Sequence, residues 1–336
     1  MNTSKLIVFS IFLSFIFYCN AQENCIAEKK HLPNELYGMF NYPNDKAESI
    51  LNVNAYISCI YQDQEDNIWF GTIGRGVIRY DGENYEYLKM KDGLIDDTVK
   101  SISQDQEGNF WFGTPAGISF YNGRYFKNYS SKDGMIYSNV KALAFDNKGI
   151  LWIGSKGGLM QFNDWNFKSV SIAEAKSQEA IHEEVFEVNA IHIDKEDKIS
   201  IASNLGAYFY DESWSRVGKE HGLASSQVNE ILKDSKGKLW FATNAGLSVW
   251  DGTNYQTLAT KPGFTGESIA SSVYEDKNNI IWFPIEGVGM YRFDGSTLDE
   301  VFKEQSCISH TLRYSLQDPD GKIWFGGWLG IYRYDG

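Results

Sequence analysis

Four cysteines and six prolines in 336 residues are few. The proline count excludes a proline-rich chain, and the cysteine count excludes a scaffold held together by disulfides. Basic side chains are also in deficit. Thirty-one Lys and Arg face 44 Asp and Glu, for a net charge of −13. A dedicated nucleic-acid binder needs a basic field to displace counterions from phosphate, so the charge argues against that class, a local basic patch aside. It also argues against an anionic membrane surface as main partner. The five histidines (His31, His182, His192, His221 and His310) show no zinc spacing, and no H-E-x-x-H, G-x-S-x-G or P-loop motif occurs. No hydrophobic run reaches the ~20 residues a spanning helix needs. What is abundant is apolar and aromatic: 43% and 15% of the chain, with 22% charged. That is globular composition with a systematic use of Trp, Tyr and Phe.

The first residues read as a leader. Lys5 is the only charged side chain before Glu23, and Leu6–Tyr18 is apolar apart from Ser10 and Ser14. Cys19-Asn20-Ala21 then offers small side chains for cleavage before Gln22. A lipid on Cys19 would need a small residue before it, and Tyr18 is large. The expected organisation is a signal peptide over 1–21, a leader over 22–35 and a folded unit over 36–336. A secreted or periplasmic bacterial protein follows, with no membrane insertion after cleavage.

One phrase recurs: Asp105-Gln-Glu-Gly108-Asn-Phe-Trp111-Phe-Gly113-Thr114. It returns around Trp69, Trp152, Trp240, Trp282 and Trp324, with a degenerate copy that puts Ser200 in the Trp position. Seven copies at a period of about 42 residues are the blade period of a β-propeller. Each copy reads as four short strands, A to D, with an Asn-Gly or Asp-Gly turn between C and D. The expected fold is all-β: a seven-bladed β-propeller of four-stranded antiparallel blades. Two aromatic columns, the strand B tryptophans and Tyr80, Tyr121, Phe162, Tyr210, Trp250, Phe293 and Tyr334 at the ends of strands C, are expected to fill the wedges between blades.

The last blade lacks a strand D before the sequence stops at Gly336. Leu36-Tyr-Gly-Met-Phe40-Asn-Tyr42 is a candidate to supply it, leaving no open edge. A disulfide between Cys25 and Cys307 would pin that closure. Cys59, in strand A of blade one, reads as a buried free thiol.

The phrase D-x-x-G-N-x-W-F-G-T, followed by G-[VIL]-x-x-[YF]-[DN]-G and a D-G-L loop, resembles the two-component regulator propeller repeat. The resemblance runs over essentially the whole chain after the leader and is weakest in blade four. It implies an extracytoplasmic sensor propeller, of a kind that often senses oligosaccharides. The further β-domain, membrane helix and kinase of such sensors have no counterpart in this sequence. The turn is also similar to the Asp-box of sialidases, whose Asp closes a hairpin on turn amides.

Packing positions repeat in every blade, so functional positions should break the repeat. Five residues before each strand A aspartate lies a polar residue: Ser58, Lys100, Lys141, Asn189, Asn229, Ser271 and Arg313. Two readings stand side by side. These side chains ring the channel mouth and bind an anionic group, or they line a hydrated pore. Trp328, in the strand B–C turn of blade seven, either stacks on a ligand or packs on a loop. Arg75 and Glu286, in lengthened turns, are ligand contacts or solvated charges. An insertion over 172–186 has helix-forming composition and lies on the same face. Catalytic signals are poor. His310 beside Glu267 is a pairing expected by chance, and the Asp-rich turns offer too few oxygens for calcium. The expectation is a non-catalytic propeller without cofactor, binding an oligosaccharide, an anionic small ligand or a protein partner such as a membrane sensor. The alternative is a polysaccharide or lactone lyase, or a glycosidase, working on the channel face.

Overall fold

Each repeat phrase closes a hairpin on its own aspartate. The computed structural model describes residues 36–38, 55–172, 185–258, 268–301, 312–328 and 330–334. In blade one the Asp63 carboxylate accepts from the backbone N–H of Glu65 and Asn67. It also accepts from the indole N–H of Trp69 at 2.7 Å. The same indole bond is made to Asp105, Asp146, Asp234, Asp276 and Asp318. A buried indole N–H needs a partner, and an aspartate six residues upstream supplies it while holding the turn. Blade four has no tryptophan, yet Asp194 still holds the turn amides of Glu196 and Lys198. Lys233 of the next blade donates to it where the indole would stand.

These hairpins build seven four-stranded antiparallel sheets. The protein is a seven-bladed β-propeller. Strands A are Ile57–Gln62, Ser101–Gln104, Val140–Phe145, Val188–Ile193, Val228–Lys233, Tyr274–Glu275 and Leu312–Gln317. They lie innermost, and from blade seven through blade one to blade five each contacts the next. Packing is between blades. Seven apolar clusters each straddle one blade junction, and no single core exists among the described residues. The six strand B tryptophans are buried in them. The strand C aromatics reach back to the previous blade's tryptophan: Phe162 to Trp111, Phe293 to Trp240 and Tyr80 to Trp324, with ring centres 5.2–5.9 Å apart. Tyr210 departs from this role and is exposed.

The repeated glycine of strand B is a close-approach position. A Cβ at Gly154 would stand 2.4 Å from Val188 of the next blade, and one at Gly326 would stand 2.5 Å from Ile57. The D-G-L loops are short 3-10 turns ended by Gly93, Gly134 and Gly222, all at positive φ. The residue after each, Leu94, Met135 or Leu223, is buried in a blade junction.

In blade seven the fourth strand position is held by Leu36–Gly38, antiparallel to Gly330–Tyr334, with Leu36 opposite Tyr334. Its flanks lie outside the described residues. The leader, Cys25, Cys307, Glu267 and His310 also lie outside them, as does 173–184 of the insertion. The insertion's two flanks, Ile172 and Phe186, are buried between blades three and four. Among the described residues no helix is long and apolar enough to cross a membrane.

Candidate functional site

Strand A does not run straight into the sheet. The pairing slips by one residue between Ile57 and Cys59, Val140 and Ala142, Val188 and Ala190, Val228 and Glu230, and Leu312 and Tyr314. The extra residue is Ser58, Lys141, Asn189, Asn229 or Arg313. A bulge of this kind re-aims a side chain out of the sheet's alternation. Here it turns five of the seven ring residues toward the axis. With Lys100 and Ser271, all seven line one central cavity of about 700 Å³. Its mouth is formed by the B–C turns and inter-blade loops, through Tyr56, Ile73, Asn244, Ile269 and Glu286.

Much of the ring's hydrogen-bonding capacity goes to the neighbouring blade. The Ser58 hydroxyl donates to the Val99 carbonyl. The Asn189 and Asn229 amides donate to the carbonyls of Val228 and Ala270, each at 2.8 Å. Each acceptor immediately precedes the next blade's ring residue. Lys100 Nζ lies 3.1 Å from Asn139 Oδ1, and Lys141 Nζ lies 3.0 Å from Asn189 Oδ1. The ring therefore stitches blades together as well as lining the cavity.

The three cations differ in what they have left to offer. Lys141 pairs with Glu187 at 2.7 Å, and Arg313 pairs with Glu286. The expected field of three open cations is thus reduced, because the inter-blade loops and the blade six turn bring in acidic partners. Lys100 has no carboxylate within ion-pair distance among the described residues. Burial, and then the neighbouring Lys141 charge, push its pKa down, against the weaker pull of Glu187 and Asp96.

Trp328 and Arg75 are not among the residues that line this cavity. The Trp328 ring is half-buried behind Arg313, whose guanidinium carbon is 4.5 Å from its centre. Arg75 is exposed in the turn after Thr72, with its charge near Tyr87, and does not line the cavity. The lengthened turn carries it outward. Glu286, by contrast, belongs to the cavity wall.

Two wall residues escaped the sequence reading, Glu230 and Tyr314. Each follows a ring residue, where the other blades carry Cys59, Ser101, Ala142, Ala190 and Ser272. That break from small to large was legible in the repeat. Glu230 is hemmed in by protein on every side but the cavity, and burial raises its pKa from 4.5 to about 7. Burial likewise raises Tyr314, and the nearby Tyr56, Cys59 and Glu230 charges add to the effect. Burial drives the Cys59 thiol up to about 12, so it is inert as a nucleophile. The buried hydroxyls of Ser101, Ser271 and Ser315, also wall residues, have no protein partner among the described residues. Among the described residues no group of three or more His, Cys, Asp or Glu side chains could hold a metal ion.

The two-component regulator propeller profile matches residues 51–74, 93–116 and 222–245. The chain carries two-component regulator propeller repeats. As a solved fold, the chain is similar to the extracellular domain of the hybrid two-component system BT4673 from B. thetaiotaomicron. They share 18% identity at a TM-score of 0.68, over 89% of this chain and 39% of that one. It is similar to PorZ, a surface component of the type-IX secretion system of Porphyromonas gingivalis, at 16% identity and a TM-score of 0.65, over 89% and 48%. It is also similar to virginiamycin B lyase from Staphylococcus aureus, at 12% identity and a TM-score of 0.63, over 84% and 95%. The chain spans less than half the length of the first two. At these identities the likeness is one of fold. No curated protein matches the sequence.

Proposed function

We propose that the chain is an extracytoplasmic, non-catalytic binding propeller whose central cavity takes a small polar ligand of oligosaccharide-fragment size. The observation that supports this is the cavity itself. It is about 700 Å³, within the range of small-ligand sites. Its wall joins apolar strand A residues to the Lys100 cation and to Glu230 and Tyr314, which break the repeat. The relation to extracellular sensor domains agrees with a receptor role at the cell surface or in the periplasm, after removal of residues 1–21. On this reading the bound state is passed on by a protein partner, such as a membrane sensor.

A second reading has one observation in its favour. Glu230, with a pKa near 7, is suited to proton transfer at neutral pH. A lyase or glycosidase acting at the cavity would use it as acid or base. Calorimetry with acidic and neutral oligosaccharides separates the two readings when paired with product analysis after long incubation. Binding without turnover, abolished by filling the cavity with Ser271→Trp, is the expected result. Turnover lost in Glu230→Gln would replace the binding reading with the enzymatic one. Binding that survives the filled cavity would move the site elsewhere.

A further inference from the structure

Glu230 is an expensive residue to keep. Five other blades place a small side chain at its position, so packing does not call for a carboxylate there. Among the described residues its one donor is the Val273 amide, at 3.2 Å, and no Lys or Arg pairs with it. A buried carboxylate without a counter-charge is costly, and chains usually pair or remove it.

The charges of the cavity can be matched one by one. Arg313 is taken by Glu286, and Lys141 by Glu187. Lys100 and Glu230 are left over. Lys100 immediately precedes strand A of blade two and Glu230 lies on strand A of blade five, three blades apart, which is the greatest separation a ring of seven allows. The cavity is therefore polarised across its width, with an ammonium on one wall and a carboxyl on the other. A neutral sugar would leave both without an ion-pair partner. A simple anion would meet Lys100 but face an acidic wall opposite.

Resting on the reading that this cavity binds a ligand, we propose that the ligand is a small zwitterion, whose amine pairs with Glu230 and whose carboxylate or other anionic group pairs with Lys100. An amino acid with a spaced amine, a short peptide, or an amino sugar joined to a uronic acid has this chemistry. The separation of its charges would have to match the channel width, so length selectivity follows from geometry. Tyr314 lies close enough to feel the Glu230 charge and adds an aromatic group beside the ammonium pocket.

The test is calorimetry on the full chain with three probe sets. These are ω-amino acids of graded length with dipeptides, the same compounds N-acetylated or methyl-esterified, and acidic and neutral oligosaccharides. The expected result is an optimum length among the free zwitterions, with either block weakening binding at least about tenfold. In Glu230→Gln the cost of N-acetylation should disappear while the cost of esterification stays. Lys100→Met should do the reverse. Thermal melts of both variants establish that each is folded. Equal binding of blocked and free compounds overturns the proposal. So does binding of oligosaccharides alone in the cavity, which would leave the binding reading standing. Silence from all three sets would remove both.

Discussion

The guanidinium of Arg313 lies 4.5 Å from the centre of the Trp328 ring, and it is ion-paired to Glu286 at the same time. Tyr56 stands on another side, 5.9 Å from the guanidinium carbon. Blades six, seven and one thus meet on one buried arginine. A lysine would not do the same, because a planar guanidinium can lie over an aromatic ring while it pairs with a carboxylate. Arg313→Ala strands the Glu286 carboxylate in the cavity wall and should cost about 2–4 kcal/mol of stability. Trp328→Ala should cost about 1 kcal/mol through the lost cation–π contact. Denaturant unfolding of the two single variants and the double variant should show coupling. Strict additivity would mean the stack carries no energy.

Glu230 makes a pH signature. Its pKa in the folded protein, about 7, is above the 4.5 of a free carboxyl. The folded state therefore binds the proton more tightly, and stability is lost as pH rises from about 4.5 to 7. Glu230→Gln removes that loss. The variant should be more stable than the parent by on the order of 1–3 kcal/mol at pH 8, with the gap closing near pH 5. Melting curves at the two pH values check it. A gap of equal size at both would show that burial does not hold this proton.

The aspartate turns should not be equal. Asp276→Ala leaves the buried Trp282 indole N–H without its acceptor, as well as losing the turn amides. About 2–4 kcal/mol should go, from one orphaned donor and the turn together. Asp194→Ala in blade four orphans no indole, so its cost should be about half as large. Chemical denaturation of the pair decides it, and a larger loss at Asp194 would contradict the role given to the indole bond.

Ring closure is open to a truncation test. A chain beginning at residue 55 lacks the strand opposite Gly330–Tyr334. It should melt at lower temperature and self-associate through the bared edge. Adding a peptide spanning 34–44 should restore both properties. An undiminished melting temperature in a monomeric truncated chain would show that the N-terminal segment does not close the ring.

The blades were readable because every junction solves the same packing problem. Asp63 recurs in every blade because each must close a turn, Trp69 recurs in all but blade four, and the Gly71 position stays Gly, Ala or Pro because the next blade approaches closely there. The ring residues were readable for a related reason, a fixed distance from that aspartate. The bulge that aims them inward was not, because slipped pairing leaves no mark in residue type. Nor was the fate of the cations. Glu187 and Glu286 lie in loops whose paths the repeat does not specify.

The sequence by itself determined the blade count, the strand order and the central polar ring, because these follow from a period and from residues that repeat with it. Only the tertiary structure decided which charges meet. Arg313 finds Glu286 and Lys141 finds Glu187 through contacts between blades, whereas Lys100 and Glu230 end on opposite walls of one cavity. Pairing energy depends on distance and burial, and neither is written in the order of residues.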